Sequence, residues 1–230
     1  MIITIDGPVA TGKSTIAKKL AQSIGYIYYD TGAMYRAVAL DALRKKIDIN
    51  DPQALATLFK DFDFRIKFNR GERAYFLRGE DVTHAIRTEE VSNAASQVSA
   101  NPEVRHQLVD LQRELSKGVN AVFEGRDMGT VVFPDASLKI FLTGRDDVRA
   151  KRRLNEMRAK FPEECRDLSV EKVLEDLHKR DQFDMTRSIS PLKKAEDAYE
   201  IDTSDLSIDD VVFKILECRD LAAQARKKKK

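Results

Sequence analysis

The feature that most constrains this chain is eight residues long. Gly7 to Ser14 read GPVATGKS, the spacing of glycine, four residues, glycine, lysine and a hydroxyl residue that cradles phosphate groups. A β-branched run, MIITIDG, leads into it, and Ile16, Ala17, Leu20 and Ile24 follow at helical spacing, with Gly25 as the stop. Strand, glycine loop, helix is the context such a loop needs. Backbone amides around Gly7 and Gly12 can turn toward one anion, and the helix N-terminus adds partial positive charge. Lys13 can reach the β and γ phosphates, and Ser14 can offer a hydroxyl to Mg²⁺.

The rest of the chain repeats that alternation. Tyr26 to Tyr29 is a second candidate strand, followed by a helical pattern through Met34, Val38, Leu40 and Leu43 to about Lys46. Val119 to Phe123 and Leu138 to Leu142 are compact apolar runs, Ala198 to Ile201 is a weaker one, and each leads into helix-like sequence. Strands that are apolar without strict alternation, separated by helices, predict an α/β fold with a parallel sheet covered on both faces. From about Asp61 to Val82 the residues alternate apolar and polar and turn at Asn69 to Glu72, which reads as an antiparallel hairpin inserted into that core. Asp146 to Phe161 is so charged and helix-prone that it is expected to project into solvent.

Composition narrows the class. With 230 residues, 42% apolar and 34% charged, the chain can bury a core and is neither a disulfide-stapled miniprotein nor disordered. No apolar run approaches a membrane span, and the N-terminus lacks a signal-type pattern, so a cytoplasmic protein without membrane association is expected. Cys165 and Cys218 have no CxxC partner, and His84, His106 and His178 lack metal-ligand spacing, which fits a reducing compartment and no zinc site. Arg226 and Lys227 to Lys230 carry +5 of a net +2, so the rest of the chain is acidic by three charges and the basic end reads as a solubilising tail rather than a nucleic-acid site.

A phosphate loop leaves the acceptor open. None of the ten glycines has Asp three positions before it, and no Asn precedes Lys-x-Asp, so the usual guanine-nucleotide switch motifs are missing. Arginines suit a phosphorylated acceptor, because a guanidinium fork grips phosphate oxygens bidentately. The stripe Val170, Val173, Leu174, Leu177 continues in phase to Arg180, Asp184 and Arg187. Either the helix has left the core there or these charges face a polar cavity. Glu124, Arg126 and Asp127 follow an apolar strand at its carboxyl end, where open α/β sheets bind ligands, although structural ion pairs would also place them there. Arg145, Arg149, Arg152 and Arg153 fall at i, i+4, i+7 and i+8, which suits cations aimed one way and equally a solvated face.

GPVATGKS, DTGAMYR (Asp30 to Arg36), NAASQVSA (Asn93 to Ala100), EGRDMGTVVFPDA (Glu124 to Ala136) and KRDQFDMTR (Lys179 to Arg187) together resemble the bacterial cytidylate kinases, in the family's order and across essentially the whole chain. The resemblance implies a P-loop NTPase three-layer fold with a five-stranded parallel sheet, a small antiparallel β insert and a helical lid. It divides a single domain, 1–230, into a core (1–30, 101–145 and 167–225), a nucleoside-monophosphate region (31–100, insert about 61–83), a lid (about 146–166) and a basic tail (226–230).

The activity it implies is transfer of the γ-phosphoryl group of ATP, as ATP·Mg²⁺, to CMP or dCMP by a monomer. Gly7, Pro8, Val9, Ala10, Thr11, Gly12, Lys13, Ser14 and Thr15 would bind ATP with Arg149 and Arg152. Ser14 and Glu124 would hold Mg²⁺. Thr31, Arg36, Arg126 and Arg187 would take the acceptor phosphate, Ser96, Arg105 and Asp127 the cytosine, and Arg180 and Asp184 the pentose. Lys13, Arg126, Arg153 and Arg187 would act on the transferring group. Thr31, Val9, Ala10 and Glu124 depart from the residues most frequent in the family. The rival readings are a neighbouring small-molecule kinase (UMP/CMP, shikimate or dephospho-coenzyme A) and a non-catalytic nucleotide-binding regulator.

Overall fold

The computed structural model describes residues 1–69 and 72–227. In chain order they form β1 (Ile2–Asp6), α1 (Lys13–Ile24), β2 (Ile27–Asp30), α2 (Thr31–Arg44), α3 (Pro52–Leu58), β3 (Phe64–Asn69), β4 (Glu72–Leu77), β5 (Glu80–Asp81), α4 (Glu89–Val98), α5 (Pro102–Ser116), β6 (Ala121–Glu124), β7 (Leu138–Thr143), α6 (Asp146–Lys160), α7 (Val170–Thr186), β8 (Tyr199–Asp202) and α8 (Ile208–Lys227). Residues 70 and 71 of the expected hairpin turn and residues 228–230 of the basic tail lie outside the described residues, as do the side chains of Arg226 and Lys227. Two compact units result: Met1–Tyr29 with Gly118–Lys230, and Asp30–Lys117.

The first unit is built on a five-stranded parallel sheet in the order β2-β6-β1-β7-β8. β1 pairs with β6 from Ile2 opposite Ala121 to Ile5 opposite Glu124, and with β7 from Ile3 opposite Leu138 to Asp6 opposite Phe141. This register brings the carboxyl ends of β1 and β6 side by side, so the loops that start at Gly7 and Gly125 leave the sheet together. Ile3, Thr4, Ile5 and Asp6 are all buried, which requires cover on both faces and explains why the strand shows no polar alternation. On one face Ile16 and Leu20 of α1 and Val211 and Ile215 of α8 pack with Ile3, Ile5, Ile140 and Leu142. Each such side chain contributes about 1.5–3 kcal/mol of transfer free energy, and the loop after β1 rises from a strand buried from Ile3 to Asp6.

The charged segment from Asp146 does form a helix, but it does not project into solvent. Ala150 and Leu154 of α6 are buried against Val173 and Leu177 of α7, and Arg149 between them is enclosed as well. The small apolar residues lie on one side of α6, and a buried counter-charge makes the neighbouring arginine tolerable.

In the second unit, β3 and β4 form the expected antiparallel hairpin, from Phe64 opposite Leu77 to Asn69 opposite Glu72. The short β5 adds a third strand beside β4. α2 packs on α4, and α5 packs on α2 and α3. Val104 and Leu108 on the inner face of α5 are wholly buried, so residues 102–116 belong to this unit rather than to the core that 101–145 was expected to build.

Candidate active site

At Gly7, φ is +147°, and a Cβ would stand 2.2 Å from the carbonyl oxygen of Leu142, so only glycine lets the chain turn off β1 against β7. The loop ends at Gly12, whose left-handed conformation starts α1 with no side-chain cap and no acidic residue in the first turn. The first amides of α1 are therefore left for an anion. Within the loop Ala10, not Val9, takes the positive φ, at +61°. A β-branched side chain resists that conformation more than a methyl group does.

Lys13 is buried under its own loop, where Nζ donates to the Pro8 carbonyl at 2.5 Å. Burial, then the Arg126 charge, pushes its pKa down to about 7 against the pull of Glu124, Asp181 and Asp184. Such an ammonium group is under-compensated, and an incoming polyphosphate would supply the missing negative charge.

Beside it Ser14 Oγ donates to Glu124 Oε1 at 2.5 Å, and Tyr28 Oη donates to the same oxygen at 2.8 Å. A hydroxyl and one nearly enclosed carboxylate form an all-oxygen donor pair next to the phosphate loop. Among the described residues no group of three or more His, Cys, Asp or Glu side chains could hold a metal. The pair fits Mg²⁺, which keeps several waters and takes one or two protein oxygens beside phosphates.

The turn after β6 and the end of α7 bring the other predicted charges of this unit together. Arg126 Nε donates to Asp184 Oδ2 at 2.8 Å. Arg187, whose side chain is almost fully enclosed, lies 3.7 Å from Asp184 Oδ1 and 3.8 Å from Asp127 Oδ1. Burial pushes the Asp184 carboxyl up, but Arg126, Arg187 and Arg180 outweigh it and hold it below the usual range. The charges at the inward phase of α7 thus face a polar cluster, not solvent. Asp6 anchors the turn that presents Arg126 and Asp127: its two oxygens accept from the Met128 and Gly129 amides at 2.9 and 2.8 Å. Burial nevertheless raises the Asp6 pKa to about 7, with Asp127 adding to the rise and the two amides and Lys13 opposing it.

The arginines around α6 each have their own partner. Arg145 pairs with Asp205, and Arg149 with Asp181 and Asp146. Arg152 donates to the Thr203 hydroxyl at 3.0 Å and the Thr203 carbonyl at 2.6 Å. Arg153, paired at 3.2 Å with the half-exposed Glu156, is the most lightly engaged.

The second unit carries Thr31, Arg36, Ser96 and Arg105. Asp30 caps α2 by accepting from the Ala33 amide at 2.9 Å and holds Arg36 Nη2 at 2.8 Å with its other oxygen. A Cβ on Gly32 would come within 3.0 Å of the Arg36 guanidinium, so glycine leaves room for that pair. Arg105 is buried, donates to the Ser99 carbonyl at 2.9 Å and lies over the Tyr35 ring. Ser96, half-buried on α4, accepts from Ser99 Oγ through its carbonyl.

Four contributors were not singled out from the sequence: Asp6, Tyr28, Asp30 and Asp181. Asp181 was findable, since it lies four residues after Leu177 on the same helical face as Arg180. Asp30 has the signature of an N-cap. Asp6 and Tyr28 lie in apolar runs and carry no local signal.

A family model described as cytidylate kinase matches residues 3–220. The chain is 62% identical over 220 residues to a cytidylate kinase of Protochlamydia amoebophila, covering 96% of each chain, and 48% identical over 216 residues to one from a Geobacillus species, covering 94% of each. Among solved structures, an uncharacterized protein of Eubacterium ventriosum aligns with a TM-score of 0.51 at 15% identity, over 96% of this chain and 98% of that one, which is a likeness of fold alone.

Proposed function

The chain belongs to the cytidylate kinase family, and from that premise we infer that it transfers the γ-phosphoryl group of ATP to CMP or dCMP, giving ADP and CDP or dCDP. It is a phosphotransferase. The observation that carries the reading is the joining, in one unit, of an uncapped phosphate loop holding Lys13 with the Arg126, Arg180 and Arg187 cluster on Asp184. One end suits a polyphosphate donor; the other suits a phosphate monoester.

In this reading the amides of residues 7–15 and Lys13 bind the β and γ phosphates of ATP. Ser14 and Glu124 hold Mg²⁺, which when bound neutralises phosphate charge and orients the donor. By the family resemblance, Thr31, Arg36, Arg126 and Arg187 take the acceptor phosphate. Arg180 and Asp184 serve the pentose. A phosphate monoester with a second pKa near 6 is already mostly dianionic at pH 7, so its oxygen attacks without a general base. The protein's work is to position, neutralise and exclude water. Arg153, whose surface pair with Glu156 is easily exchanged, serves the transferring phosphoryl group.

Asp127, Arg105 and Ser96 read the base. A carboxylate accepts from the cytosine amino group while a guanidinium donates to O2 or N3. Uracil presents the opposite pattern at positions 3 and 4, where O4 replaces the amino donor and N3–H replaces the acceptor, and would leave buried groups unpaired. The test is to incubate the protein with ATP, Mg²⁺ and each of CMP, dCMP, UMP, AMP and shikimate, and to identify products by phosphorus NMR. CDP and dCDP are expected. ATP binding with no phosphorylated product from the cytosine nucleotides would overturn the reading.

A further inference from the structure

We propose that Asp181 is a positioning residue that holds the donor loop in its nucleotide-binding shape, acting through Val9 and Arg149. The inference deepens the donor-loop reading above and rests on it. The Val9 amide donates to Asp181 Oδ1 at 3.0 Å, and the Val9 carbonyl accepts from Arg149 Nε at 2.9 Å. Arg149 Nη2 donates to Asp181 Oδ2. These three bonds close a ring that ties both polar groups of one loop residue to α6 and α7, at sequence separations of 140 and 172.

The ring is shielded from water. The Arg149 and Asp181 side chains are 6% and 9% exposed, and Val9 and Ala10 pack against Ala150, Leu154, Val173 and Leu177. Charge-assisted bonds in such surroundings hold geometry more firmly than surface pairs do. The ring also sits next to Ala10, the one loop residue other than glycine with positive φ, so it constrains the loop where its sequence resists the required shape. Asp181 precedes Asp184 on α7 by three residues, and one helix therefore bears both the carboxylate of the guanidinium cluster and the clamp on the donor loop.

The experiment measures equilibrium binding of ATP and, separately, of CMP to wild-type protein, Asp181→Asn and Asp181→Ala by titration calorimetry, with thermal melting of each. Asn keeps an acceptor for the Val9 amide but loses the charge that holds Arg149. ATP affinity should fall about tenfold or more in Asp181→Ala, the order expected for losing a buried charge-assisted partner. It should be partly restored in Asp181→Asn, with CMP affinity within about twofold of wild type in both. If Asp181→Ala does not fold, the split between ATP and CMP is read from Asp181→Asn alone. Unchanged ATP affinity in a folded variant, or equal losses for ATP and CMP, would overturn the proposal. Failure of the functional reading would show differently, as wild-type protein that makes no CDP.

Discussion

Arg126 Nε donates to Asp184 Oδ2 at 2.8 Å, joining the turn after β6 to α7 across 58 residues of sequence. Arg187 lies 3.7 Å from the other oxygen, and the charge of Arg180 acts on the same carboxyl. Asp184, together with Asp127 at 3.8 Å from Arg187, thus offsets guanidinium groups that would otherwise repel one another before any phosphate arrives.

Asp184→Asn should therefore lose stability, about 3–5 kcal/mol if the pair behaves like other buried ones that have lost a partner. Inorganic phosphate, which can restore negative charge among the arginines, should raise the melting temperature of the variant more than that of wild type. Equal phosphate shifts in thermal melting would show that the arginines do not form an anion site.

Arg187→Ala removes a fork aimed into the cluster while leaving the donor loop intact. Steady-state kinetics should show kcat/KM for CMP reduced about tenfold or more, as for loss of a charge-assisted phosphate contact, with ATP affinity little changed. Parallel losses for both substrates would contradict separate donor and acceptor groups.

Much of this arrangement was legible in the sequence, because the signals were local. The glycine spacing of residues 7–14 marked the loop, unbroken apolar runs marked β1, β6 and β7, and the phase of α7 carried through Leu177 to Arg180 and Asp184. What escaped depends on pairs distant in sequence. α6 reads as a solvated helix until Asp181 is seen to neutralise Arg149. α5 reads as part of the core until Val104 and Leu108 are seen buried in the second unit. Asp6 supports the 125–132 turn through backbone amides, and no side-chain pattern announces such bonds.

Ala10 holds φ at +61°, a conformation that costs an L residue roughly 1–2 kcal/mol. Ala10→Gly relieves that strain but adds back about 0.4–1 kcal/mol of unfolded-state entropy, so a net gain of up to about 1.6 kcal/mol is expected. Urea unfolding checks it, and a lower midpoint at unchanged slope would count against strain at this position.

Burial pushes the Asp30 carboxyl up, but Arg36, Arg87, the Ala33 amide and Arg73 together hold it below its ordinary value. A depressed folded-state pKa contributes stability that is fully present above the unfolded value, about 3.9, and is lost as pH falls through the folded one. Wild type should accordingly exceed Asp30→Asn in unfolding free energy at pH 6, with the gap narrowing below about pH 4. A gap independent of pH would mean that the ion pair with Arg36 adds nothing.

The most direct test is the ratio of kcat/KM for CMP to that for UMP and for AMP, measured with ATP and Mg²⁺ under one set of conditions. Rejecting a base that leaves buried hydrogen-bonding groups unpaired is worth factors of about 10⁴ when a site is built for the purpose. CMP should therefore be preferred over both by orders of magnitude. UMP or AMP used as well as CMP would contradict recognition of cytosine and, with it, the account of what these arginines and Asp127 are for.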